Sequence, residues 1–120
     1  MADPVLMDDL GIRLALYRNE AVGTYVYFDG TRYPLRHDPP IVPAFYLLPC
    51  ALGLDCSQSD PALLLLCANT GQCFSDRFDK VAAETPGGRT GEKFAATMQW
   101  YEKLATAVKR KDASAFVERP

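Results

Sequence analysis

Hydrophobic and polar positions change their period near residue 40. Before it the pattern alternates: Ile12, Leu14 and Leu16 are interleaved with Arg13, Ala15 and Tyr17, a period of two that marks a half-buried strand. Asn19 to Gly23 reads as a turn. Residues 23–28 and 31–36 then flank Asp29-Gly30, the pair a two-residue type I′ hairpin prefers because both positions need positive φ. A two-residue loop sets the register. On one side Phe28 faces Thr31, Val26 faces Tyr33 and Thr24 faces Leu35; on the other Tyr27 faces Arg32 and Tyr25 faces Pro34. Pro34 cannot donate to a ladder, so the third strand is an edge or ends there.

Beyond His37-Asp38-Pro39-Pro40 the pattern becomes helical. Pro43 suits the first position of a helix running to about Leu52, with Gly53 as its stop and Pro49 shortening or kinking it. Asp60-Pro61 is an N-cap and N1 pair opening an apolar helix that ends near Gly71. Ser75 is placed to cap a third helix reaching about Glu84, and Thr85-Pro86-Gly87-Gly88 breaks it. The longest element starts at about Thr90. In it Phe94, Met98, Tyr101, Ala105 and Val108 recur at spacings of four and three, the stripe of an amphipathic helix. Lys109, Arg110 and Lys111 close it with the charge its C-terminal dipole favours, and Asp112 is placed to cap one more turn carrying Phe116.

These elements predict an α+β fold. A short three-stranded antiparallel meander covers about 12–36. A helical part covers about 43–118, with a disulfide-stapled helical hairpin between Pro43 and Asn69 and a long C-terminal amphipathic helix. No repeat or linker divides the chain, so residues 1–120 are expected to form a single domain. A chain of this length buries roughly two thirds of its unfolded surface, and a composition of 48% hydrophobic and 23% charged residues excludes intrinsic disorder. The net charge of −2 provides no general attraction to nucleic acid or an anionic membrane. The longest apolar stretch, Ile41 to Leu54, is too short and too interrupted by proline to span a bilayer.

All four cysteines fall within one block, as Cys50-x5-Cys56-x10-Cys67-x5-Cys73. An even, clustered and symmetric set points to disulfides and hence to an oxidising compartment. Reduced core thiols and a structural zinc remain alternatives, although x5 spacings are wider than the usual zinc knuckle. Pairing Cys50 with Cys56 and Cys67 with Cys73 is favoured among the three connectivities, because each pair lies beside a turn at a predicted helix end. Residues 1–20 carry four acidic residues and no continuous apolar run, so they are not a secretory signal. Export therefore requires that a leader has been removed. The expected location is periplasmic or secreted, with the cytoplasm as the alternative if the thiols are reduced.

Catalytic signals are weak. The single histidine, His37, sits beside Asp38 and two prolines, the setting of a surface loop. Serines at 57, 59, 75 and 114 lie in no nucleophile elbow. Gly87-Gly88-Arg89-Thr90-Gly91 lacks the spacing and the lysine of a phosphate loop, and the acidic residues near Asp55 to Asp60 do not space like a calcium loop. The sequence predicts a protein that is not an enzyme, with no cofactor and no metal.

It also predicts a face. If Ile12, Leu14, Leu16, Val26, Phe28 and Tyr33 turn inward, then Arg13, Tyr17, Tyr25, Tyr27 and Arg32 turn outward together. Tyrosine and arginine are enriched at interface centres, and Tyr27 opposite Arg32 could hold the guanidinium for a partner carboxylate. The competing reading is that the chain covers these tyrosines itself. The expected function is that of a small binding or inhibitor protein, in its most concrete form a bacterial periplasmic immunity protein neutralising a secreted toxin or effector. The alternatives are a phage- or mobile-element-encoded cytoplasmic inhibitor of a host system, anti-CRISPR-like, and a structural or assembly subunit that oligomerises through the sheet edge.

Overall fold

A computed structural model describes residues 3–4 and 16–118 of the chain. The meander consists of strands β2 (Leu16–Asn19), β3 (Gly23–Phe28) and β4 (Thr31–Pro34), and a two-residue strand β1 (Asp3–Pro4) lies along β2. The order is β1-β2-β3-β4 and every pairing is antiparallel. Asp29 (φ 47°) and Gly30 (φ 87°) both take positive φ, as a type I′ turn demands. The expected register follows: Phe28 pairs with Thr31, Val26 with Tyr33, Tyr27 with Arg32 and Tyr25 with Pro34. The Thr24–Leu35 pair does not form. Strand β4 stops at Pro34, and Leu35 instead opens a 3-10 turn, Leu35–His37. Ile12 to Ala15, the expected start of the first strand, lie outside the described residues.

Four helices follow: α1 (Ile41–Ala51), α2 (Pro61–Thr70), α3 (Arg77–Glu84) and α4 (Glu92–Lys109). Helix α1 starts two residues before Pro43. The missing N–H of Pro43 is harmless there, because a first-turn amide has no intrahelical acceptor. Asp60 caps α2 by accepting from the Ala62 amide at 3.0 Å, and Gly71 ends it at φ 78° in the left-handed position that terminates helices. The cap of α3 is Asp76, not Ser75: its carboxylate accepts from the Asp79 amide at 2.7 Å. Asp76 is extended because it bridges to Ser57, and this antiparallel bridge decides where helical backbone begins. Helix α4 ends at Lys109, and a 3-10 turn, Ala113–Ala115, follows Asp112.

Both disulfides are present as Cys50–Cys56 and Cys67–Cys73, with Cα separations of 5.6 and 4.5 Å. Each joins the last turn of a helix to the loop that leaves it. A loop this short contributes about 2 kcal/mol by restricting the unfolded chain.

The two stapled helices follow each other as expected, but the principal helical packing is elsewhere. Helix α1 lies mainly against α4 and secondarily against α3. Its Ile41, Ala44, Phe45 and Leu48 join Val26 and Phe28 of the sheet and Leu104 and Ala105 of α4 in one core. Leu47, on another side of α1, joins Val81, Ala82 and Phe94 in a second. Helix α2 buries only Leu63. The antiparallel packing of α1 on α2 is therefore not a main contact of the fold. Both helices are apolar nearly all round, so neither carries a stripe that would name its neighbour.

Candidate functional site

Strand alternation sorts the hairpin residues as expected. Val26, Phe28 and Tyr33 join the core side. Residues of the other parity gather around Glu118, which the C-terminal segment brings to them. The Tyr25 hydroxyl donates to Glu118 Oε2 at 2.5 Å, and Arg32 Nε donates to Glu118 Oε1. Tyr17 stacks on Tyr25 with centroids 5.7 Å apart, and its hydroxyl donates to the Phe116 carbonyl at 3.3 Å. The Arg32 guanidinium lies 5.1 Å from the Tyr25 ring centroid. The segment is anchored from the core side by Phe116, whose ring meets Phe28 at 5.4 Å and Phe45 at 6.1 Å.

Charge and burial tune this cluster. Tyr25 is fully buried. Burial first, then the hydrogen bond to Glu118 and its negative charge, push the phenol up to about 12. The hydrogen bond from Arg32 holds the Glu118 carboxyl below the usual range, and the same bond raises Arg32. A neutral phenol is thus part of the folded state. Its contribution is complete below pH 10, the ordinary value, and is lost as pH rises through about 12. Wild type is expected to lose about 2–3 kcal/mol across that window through this group, measured by urea unfolding at a series of pH values. Tyr25→Phe should remove that component of the alkaline slope. An identical slope in the variant would show that the phenol does not carry it.

The predicted interface residues therefore separate. Tyr25 is a buried structural residue. Tyr17 is half-buried in the same cluster. Tyr27 is half-buried, and its hydroxyl accepts from the Gly30 amide at 3.1 Å, bracing the hairpin turn. Arg32 is the most open of the four, its side chain 42% exposed. The ring beneath its guanidinium is Tyr25, not Tyr27, and its carboxylate partner is the chain's own Glu118. Arg13 lies outside the described residues. His37 is exposed and accepts from Arg36 Nε at 3.3 Å. Arg89 pairs with Asp79 of α3 at 3.6 Å, tying the Gly87–Gly91 loop to that helix.

On the core side of the hairpin, where it meets α4, lies a groove of about 820 Å³. Its floor is Trp100, the chain's single tryptophan, set edge-on to Tyr33 at 5.2 Å and Phe28 at 5.9 Å. Gln99, Lys103, Thr106 and Arg110 form one wall at helical spacing, and Asp29 and Thr31 of the hairpin face them. The Lys103 ammonium sits 4.7 Å from the Trp100 ring centroid. Among the described residues neither Lys103 nor Arg110 has a carboxylate in ion-pair range. No local pattern links the two walls of this groove, which lie far apart in the chain; the single tryptophan is the sequence signal that marks it.

Among the described residues no group of His, Cys, Asp or Glu side chains is arranged to hold a metal ion. No helix among them is long and apolar enough to cross a membrane. No protein-family model, curated protein or solved structure matches this chain.

Proposed function

We propose that the protein is a small, non-catalytic binding protein whose target is another protein, in its most concrete form an immunity protein neutralising a toxin delivered to the periplasm. The observation that carries this reading is the groove between the β3–β4 hairpin and α4. It brings tryptophan, tyrosine and arginine together, the residue types that dominate binding energy at protein interfaces. Its volume of about 820 Å³ suits inserted side chains of a partner, and its mixed lining of Asp29, Glu102 and Asp112 with Lys103 and Arg110 suits partner specificity. Two disulfides support an oxidising compartment. Arg32, with Tyr17 and Tyr27, forms the proposed rim on the other side of the same hairpin.

The test is purification with the native partner from the source cell, identification by mass spectrometry, and calorimetry of the reconstituted pair. Lys103→Glu with Arg110→Glu reverses two exposed charges of the groove. This double variant is expected to lose at least about 2 kcal/mol of affinity while its melting temperature stays near wild type. Arg32→Ala should cost less, because its carboxylate partner is already present in the chain. Unchanged affinity in the groove variant would sink the groove as the interface.

A further inference from the structure

The two disulfides close loops of equal length at equivalent places, each at a helix exit, yet the protein surrounds them differently. Cys50 follows Leu47, Leu48 and Pro49, all buried, and Cys56 is only 8% exposed. The Cys56 carbonyl accepts from the Arg77 amide at 3.0 Å, and its neighbour Ser57 bridges to Asp76. The first bridge is therefore fixed from both sides. The second has no such cover. Thr70, Gly71, Gln72 and Cys73 are all exposed, and Cys67 is half-buried. Both cysteines line an open groove of about 570 Å³ with Leu63 and Phe74. The Gly71 amide donates to the Cys67 carbonyl at 2.9 Å and the Gln72 amide to the Thr70 hydroxyl at 3.1 Å. Among the described residues no hydrogen bond ties Gly71, Gln72 or Cys73 to any element but α2.

We infer that Cys73 is a thiol–disulfide exchange site, at which a low-molecular-weight thiol opens the Cys67–Cys73 bridge and leaves Cys50–Cys56 and the fold intact. Equal loops restrict the unfolded chain equally, so loop length does not separate the two bridges. Access does: exchange requires a thiolate to reach a disulfide sulfur, and exposed bridges are the labile ones. The sulfur within reach is that of Cys73. From Pro61 to Ser75 the chain carries no charged residue, so an anionic thiol meets no like charge from that segment.

The exchange balances in two steps. A thiolate bonds to the Cys73 sulfur as the Cys67–Cys73 bond breaks, and the electron pair leaves on the Cys67 sulfur, which takes a proton from water. A second thiolate attacks the added sulfur, forming the small-molecule disulfide and freeing the Cys73 thiolate to be protonated. Two thiols are oxidised and one protein disulfide is reduced. Helix α2 keeps its beginning through this change. Asp60 still accepts from the Ala62 amide and from Arg77, and Leu63 stays buried. Beyond Leu63 no residue up to Cys73 is buried, so opening releases only that stretch, and a short loop recloses it. This inference is independent of the groove at Trp100.

The test incubates the folded, oxidised protein with reduced glutathione, quenches samples in acid, and locates adducts and alkylated thiols by peptide mass spectrometry. Thiols at Cys67 and Cys73 are expected to appear at least about tenfold faster than those at Cys50 and Cys56. The acid-trapped intermediate should carry glutathione on Cys73. Near-ultraviolet circular dichroism should stay unchanged as the bridge opens, while amide hydrogen exchange speeds up from Leu65 to Cys73 and not in β3. Cys67→Ser combined with Cys73→Ser should fold and show only the slow opening of the first bridge, at the wild-type rate. A second bridge that opens no faster than the first, or an adduct found on Cys67, overturns the inference. So does loss of the tertiary signal when the second bridge opens, or a double serine variant that fails to fold, since either shows that the fold depends on that bridge.

Discussion

Replacing Arg77 by alanine is expected to destabilise the protein by about 3–5 kcal/mol, a large part of the stability of a domain this size. Arg77 Nε donates to Asp60 Oδ2 at 2.6 Å, and the two side chains are only 11% and 4% exposed. Its Nη1 donates to the Tyr46 carbonyl at 2.8 Å, and its guanidinium lies 4.5 Å from the Tyr46 ring centroid. One side chain thus joins the loop after the first disulfide, the start of α3 and the middle of α1. Removing it leaves the Asp60 carboxylate buried without its cation, which costs more than the pair itself contributes. Arg77→Lys should recover only part of the loss, because an ammonium cannot bond in two directions while lying flat on a ring. Asp60→Asn keeps a side-chain oxygen for the Ala62 amide, so it isolates the charge from the cap. Urea unfolding of the three variants measures these effects. A loss below about 1 kcal/mol in Arg77→Ala would mean that water replaces the guanidinium and that the pair behaves as a surface contact.

The second large effect is expected at Phe45. This residue of α1 is buried in the core shared with the sheet and α4, and it meets the ring of Phe116. Phe45→Ala deletes a ring from a packed interior and should cost about 3–5 kcal/mol through lost transfer energy and the cavity left behind. It should also loosen the C-terminal segment, because Phe116 loses one of its two aromatic neighbours. The alkaline titration of Tyr25 should then begin at lower pH as Glu118 is held less firmly. Unfolding experiments combined with ultraviolet titration of the phenols check both consequences. A variant with full stability would show that the segment refills the space. By contrast, Leu65→Ala should leave stability nearly unchanged.

Local chemistry determined much of this protein. Asp29-Gly30 set the hairpin and its register because a two-residue turn leaves no freedom in pairing. Asp60-Pro61 and Gly71 marked the ends of α2 because an N-cap, a fixed φ and a left-handed stop act within a few residues. The four cysteines paired with their sequence neighbours because each pair brackets a single helix exit. On α4 the Phe94-to-Val108 stripe was legible from its period. Thr97 and Leu104, outside that stripe, are buried as well. Leu104 widens the apolar arc beyond that stripe, and Thr97 is tolerated inside because its hydroxyl donates to the Lys93 carbonyl at 3.1 Å.

Tertiary structure decided the rest. Helices α1 and α2 are both largely apolar, yet α1 became the centre of two cores and α2 a surface element. Periodicity cannot separate two helices that are apolar on every side; only the competition for the sheet and α4 does. Asp60 and Arg77 lie seventeen residues apart, and Glu118 lies 86 residues from Arg32, so no local pattern predicts either pair. The second contact also changed the meaning of the tyrosine and arginine face. Alternation alone placed Tyr25 and Arg32 on one side of the hairpin, and it took the returning C-terminal segment to bury the first and pair the second.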